Sequence, residues 1–172
     1  EDGVDLEGWD FDKLAKHGEA LPMGGLKIVA LALESRLPGA VAYRVADAIF
    51  TGDVLLAPAE GSGRCDVPGA DAGKTFDDAR KILSLPPRTR VMPGVCAALP
   101  CESTVAAEKA SNIQLNDTVD RLNFIAMRTT ADAMLPESAV VGPALRVAVR
   151  AGRLPPDIGA GARFAPVDLT KL

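Results

Sequence analysis

Few residues in this chain can act as acid, base, nucleophile or metal ligand, and their spacing limits what they can do. The 172 residues include one histidine, His17. A multi-histidine metal centre therefore cannot be assembled from this chain alone. The three cysteines, Cys65, Cys96 and Cys101, do not complete such a set. Cys96 and Cys101 lie five apart, which is not the CxxC spacing of a metal pair, and Cys65 stands alone. An odd cysteine count gives no complete disulfide framework and points to a reducing compartment. Cys65 sits between Arg64 and Asp66. A neighbouring guanidinium lowers a thiol's pKa, yet no histidine is near in sequence to act as its base. Cys96, at the end of an expected strand, reads as a small buried hydrophobe. His17, in the polar run 13–19, reads as a solvated surface residue.

The elements that must hold these residues can be read from the pattern. Segment 26–33 has strand character behind Gly24-Gly25, 41–45 makes a second strand with a tight turn at Ala46-Asp47, and 48–53 a third. Links this short allow only antiparallel pairing in a meander. A Gly-, Pro- and Ala-rich loop runs from 57 to 73. Thr75 with Asp78 resembles a capping pair opening a helix that Pro86-Pro87 ends. Segment 90–92 reads as a short strand. Helices are expected at about 103–111, at 118–133 behind Asn116 or Asp117 as N-cap, and at 145–151. Strands first and helices later indicate an α+β fold. Three regions are expected: an acidic arm over 1–20 that carries Trp9, a domain over 21–156, and a tail over 157–172.

Composition excludes several functions. Lys and Arg number 19 against 23 Asp and Glu, a net charge of −4, so the concentrated positive charge of a nucleic-acid binder is missing. No apolar run approaches the roughly 20 residues that span a bilayer. Hydrophobic residues make up 48%, enough for a core of its own.

Several separated motifs occur together: 21–26 (Leu-Pro-Met-Gly-Gly-Leu), Ala42-Tyr43, 50–55 (Phe-Thr-Gly-Asp-Val-Leu), 63–66 (Gly-Arg-Cys-Asp), Leu85-Pro86-Pro87, 103–106 with Glu108 and Asn112, and 150–156. Together they resemble the metallo-β-lactamase family, in its glyoxalase II and persulfide dioxygenase-like branch. The resemblance runs from about Phe11 to Pro156 and implies the later part of an αββα sandwich: an antiparallel or mixed sheet with helices on one side. The family's first metal-binding stretch, His-x-His-x-Asp-His, would lie upstream of Glu1. Of the later ligands, Asp53 alone matches. Arg36 stands at one histidine position, in 34–38, and Val95 at another, in Gly94-Val95. Valine offers no lone pair, and a guanidinium offers only donors.

The resemblance thus implies a degenerate, non-catalytic member without metal or cofactor, acting as an accessory or structural subunit of a larger protein assembly. Asp53 is expected to pair with Arg36 in place of the metal. Arg64 and Asp66 match a loop that supports the thiol-substrate mouth in the relatives; they are vestigial substrate-binding candidates for a thiol ligand such as glutathione, or a loop-stabilising ion pair. The alternative is a metal-dependent thioester hydrolase or persulfide dioxygenase, with iron or zinc, whose N-terminal metal-binding half another chain supplies. Location follows the relatives only by analogy: mitochondrial matrix behind a cleaved leader, or cytoplasm.

Overall fold

The computed structural model describes residues 11–35, 40–67, 69–97, 101–136 and residue 147. Contacts group the chain into one unit of Ala15–Leu135 and another of Glu1–Leu14 with Pro136–Leu172. Every element below lies in the first unit. Of the second, residues 11–14, 136 and 147 are described, and residue 147 is helical. The helix expected at 145–151 otherwise lies outside the described residues, as does Trp9.

Tight turns make the first half of the sheet a meander. β1 (Ala20–Met23) folds back at Gly24-Gly25 into β2 (Leu26–Ala32), with Met23 opposite Leu26. Gly24 has φ +57°, a conformation open to glycine without a Cβ penalty. β3 (Val41–Val45) and β4 (Ala48–Gly52) continue antiparallel, as the short links require. The sequence pattern assigns no strand to 20–23, because Pro22 interrupts it. Proline is tolerated there since β1 is the outermost strand.

The chain then leaves the sheet through α1 (Ala72–Leu83) and returns as β5 (Arg90–Pro93), parallel to β4. β6 (Ser103–Thr104) pairs antiparallel with β5 and gives the order β1-β2-β3-β4-β5-β6. α2 (Val105–Ser111) and α3 (Arg121–Ala133) follow. The result is the expected α+β fold with a mixed sheet, although one βαβ crossover stands where the sequence suggests only strands followed by helices.

Two helix starts correct the sequence reading. Asp71, not Thr75, caps α1, accepting the Lys74 amide at 2.8 Å. Asp78, read as a capping partner, is buried and accepts the Glu34 amide at 2.6 Å and the Lys81 ammonium at 2.8 Å. Asp120 caps α3, whereas Asn116 makes a local turn by accepting from the Thr118 amide and hydroxyl. Asp, Asn and Thr in close succession offer several caps of similar strength, and tertiary packing chooses among them.

The core fixes which sheet face is covered. Ala42, Ile49 and Val91 from the sheet meet Phe76 and Ile82 of α1, Val105 of α2 and Phe124 of α3. The Phe76 and Phe124 rings lie 5.7 Å apart, within the range of favourable aromatic contact. On the opposite face the register aligns Ala30, Tyr43, Phe50 and Met92 in one row across four strands. Tyr43 is 40% exposed there and Phe50 48%.

Candidate functional site

The residues with site potential cluster where β4 and β5 end. Thr51 is buried and donates to the Leu55 carbonyl at 2.7 Å, which turns the chain just beyond β4. The Gly63 amide donates to the Asp53 carbonyl at 2.7 Å, and the Gly94 amide to the Gly52 carbonyl at 2.8 Å. A Cβ on Gly94 would lie 3.1 Å from Asp53 Oδ1 and 3.1 Å from the Gly52 backbone. The end of β5 therefore runs tightly past the half-buried Asp53, with no room for a larger residue at 94 unless the backbone shifts.

The next loop carries an ion pair and is tied down from behind. Arg64 donates through Nε and through a terminal nitrogen to the two oxygens of Asp66, each at 2.6 Å. This bidentate bond, the main cause, holds the Asp66 carboxyl below its usual range, while partial burial opposes it. The Cys65 amide donates to Asp132 Oδ2 at 2.8 Å, and Arg128 donates to Asp132 Oδ1 at 2.7 Å and to the Ser62 carbonyl at 3.1 Å. The Arg128 and Asp132 side chains are only 7% and 6% exposed. Sequence reading missed this pair. Its i, i+4 spacing is a signal, but one that reads equally as a solvated helix face.

A second buried anchor supports the same loop. Ser103 donates to Glu108 Oε1, and Asn112 Nδ2 donates to Glu108 Oε2 at 2.7 Å and to the Gly61 carbonyl at 3.3 Å. Burial pushes the Glu108 carboxyl above its ordinary pKa, and the bonds from Ser103 and Asn112 pull it partly back. Gly61 has φ +81°, and a Cβ there would fall 2.5 Å from Gln114 Oε1, the atom that accepts from the Ser62 amide and hydroxyl. Gly61→Ala is accordingly expected to cost about 1–3 kcal/mol in urea unfolding, from left-handed strain plus displacement of Gln114. An unchanged midpoint would show that the loop relaxes freely.

The expected site residues fall as follows. Asp53, Gly94 and the exposed Val95 come together at the strand ends. Arg36 lies in 36–39, outside the described residues, and the expected Arg36–Asp53 pairing lies outside them too. Cys65 Sγ is 3.3 Å from the Thr75 hydroxyl, and with Asp66, Thr129 and Asp132 it lines a cavity of about 310 Å³. His17 is exposed, and its Nδ1 accepts the Ala32 amide at 3.2 Å. Two cysteine readings are corrected. Cys96 and Cys101 are joined in a disulfide with Cα atoms 5.6 Å apart, and Cys96 is only half-buried. A separation of five that is wrong for a CxxC metal pair suits a local disulfide, and the odd count leaves Cys65 over. Among the described residues no three His, Cys, Asp or Glu side chains are grouped to hold a metal. Among the described residues, the donor set at Asp53 does not fit the metal centre that the fold implies.

The family model of the metallo-β-lactamase superfamily matches residues 2–95. The chain belongs to that superfamily. A probable metallo-hydrolase of Burkholderia pseudomallei (strain 1710b) is 36% identical over 180 residues, aligning 95% of this chain and 60% of the relative. Glyoxylase B2 of Dictyostelium discoideum is 32% identical over 174 residues, aligning 96% of this chain and 59% of the relative. The crystal structure of ETHE1 from Myxococcus xanthus matches with a TM-score of 0.72 at 27% identity, covering 81% of this chain and 60% of that one. The chain thus has the metallo-β-lactamase fold of the glyoxalase II and persulfide dioxygenase-like branch, and it spans about 60% of the length of these relatives. No helix among the described residues is long and apolar enough to cross a membrane.

Proposed function

We propose that this chain is a non-catalytic member of the superfamily that serves as an accessory, structural subunit of a larger protein assembly. The observation that carries this reading is the sheet face away from the helices, where Leu26, Ile28, Val45 and Met92 surround the exposed Tyr43 and Phe50. Each Å² of apolar surface left in water forgoes about 25 cal/mol, and a continuous patch of this kind marks an interface. The occupant is a protein surface presenting an apolar sheet layer. Two sheets pack face to face about 10 Å apart, and the relatives carry further sequence beyond the matched 60%. The residue types support the loss of chemistry. Arg36 and Val95 stand where the resemblance places histidines, and neither supplies a lone pair to a cation.

The second reading, a metal-dependent thioester hydrolase or persulfide dioxygenase completed by another chain, draws on Asp53 in its family position. Native mass spectrometry on the complex purified gently from its source separates the two. A large metal-free assembly of defined stoichiometry, lost in Phe50→Asp while the far-ultraviolet dichroism stays intact, is expected. A species carrying stoichiometric iron or zinc, or a monomer, would overturn the proposal.

A further inference from the structure

We propose that Cys96 and Cys101 form a reversible thiol–disulfide pair, exchanged by small-molecule disulfides of the glutathione type, whose state sets how firmly the chain leaving β5 is held. This inference is independent of the accessory-subunit reading. The bond joins the residue three past the end of β5 to the residue two before β6, so it links two neighbouring strands across their connection. Both cysteines are partly exposed, and exchange proceeds by attack of a solvent thiolate on a sulfur it can reach. The loop it closes has a sequence separation of only five. Closing so short a loop removes less chain entropy from the unfolded state than closing a long one, so the fold adds less resistance to reduction than it does for a long-range disulfide.

A specific contact lies next to the bond. The Ala97 amide donates to Glu60 Oε1 at 2.7 Å and ties this connection to the loop that follows β4. Three residues back, the Gly94 amide is bonded to Gly52 beside Asp53. With the disulfide closed, Ala97 is fixed from its immediate neighbour. With it open, the Ala97–Glu60 bond loses that restraint.

The exchange balances without other groups. A thiolate of Cys96 or Cys101 attacks oxidised glutathione, breaks its sulfur–sulfur bond and forms a mixed disulfide with release of one glutathione thiolate. The second cysteine thiolate then attacks the protein-side sulfur of that mixed disulfide and expels the second glutathione. Two protons and two electrons leave the protein pair, and both electrons reside in the two reduced glutathiones.

The test uses the full chain, equilibrated across mixtures of reduced and oxidised glutathione, quenched with iodoacetamide and read by peptide mass. The expected result is a single two-electron transition of Cys96 and Cys101 within the range of mixtures, Cys65 remaining alkylated throughout. Amide exchange at Ala97 should be at least about tenfold slower in the oxidised form. A variant with both Cys96→Ser and Cys101→Ser should exchange at the reduced-form rate in every mixture. A pair that stays bonded, or stays reduced, across all mixtures would overturn the proposal. So would a Cys65 crosslink to either partner, equal Ala97 exchange in the two forms, or a rate that follows the mixture in the double-serine variant.

Discussion

Asp132→Ala is expected to destabilise the fold by about 3–5 kcal/mol, because it strips the partner from a buried guanidinium. Arg128 and Asp132 are both more than nine-tenths removed from solvent. Arg128 donates to Asp132 at 2.7 Å, to the Ser62 carbonyl at 3.1 Å and, at 3.5 Å, to Gln114 Oε1, and its Nε is buried with no hydrogen-bond partner. Removing the carboxylate would leave the charge with two neutral acceptors, the Ser62 carbonyl and the long contact to Gln114 Oε1. It would also free the Cys65 amide, which donates to the other Asp132 oxygen, and so loosen the Arg64–Asp66 loop. Desolvation makes such a pair costly to build as well as costly to break. The double change Arg128→Met with Asp132→Leu, which fills the same volume with apolar groups, is therefore expected to cost less than Asp132→Ala alone. Urea unfolding of the single and double variants measures both quantities. A loss below about 1 kcal/mol for Asp132→Ala would mean that water reaches Arg128.

The second large effect lies at Glu108. Truncation to alanine removes the acceptor of both Ser103 and Asn112 in a fully buried position, and a cost of about 2–4 kcal/mol is expected. Glu108→Gln behaves differently. An amide can accept from Asn112 through its oxygen and donate to the Ser103 hydroxyl through its nitrogen, so the network survives without a charge. The consequence is a changed pH profile. A carboxyl with its folded-state pKa raised by burial binds more protons folded than unfolded at pH values between the two pKa values. Its contribution is full below the ordinary value of 4.5 and is lost as pH climbs toward the raised one. Asp66 acts in the opposite direction. Held low by Arg64, it stabilises above 3.8, and that support fades as pH falls below this value. Thermal unfolding should thus show a maximum on the acid side. In Glu108→Gln the decline on the side of rising pH should flatten while the acid-side loss remains. A decline identical to the parent's would show that Glu108 does not titrate in that window.

These two anchors also show what a linear reading of the chain can and cannot reach. The meander was legible because links of two and about seven residues are too short for a crossover helix and so favour antiparallel neighbours, and the end of α1 was legible because Pro86-Pro87 cannot continue a helix. The Arg64–Asp66 pair lies within three residues and was visible as an ion-pair candidate. Arg128 was not, since its partner carbonyl on Ser62 is 66 residues away and nothing local marks it as buried. Glu108 stood out through the resemblance, but a carboxyl on a helix reads as solvated until packing closes over it. The disulfide escaped notice for a different reason. An odd count weighs against a complete framework, yet three cysteines still allow one local bridge with one thiol left over. Pro22 hid β1, because a proline weighs against a strand unless its outermost position is known.

That same proline bears on how copies of the molecule can meet. A sheet with an open edge can template another strand through its free backbone groups, the route by which soluble proteins turn into fibrils. Here one outer strand carries Pro22, which has no amide hydrogen to offer, and the other is only the two residues Ser103–Thr104. Neither border provides a continuous ladder. Growth by strand addition is thereby discouraged at both ends, and sequence that is sticky on its broad side is kept from polymerising along its rim.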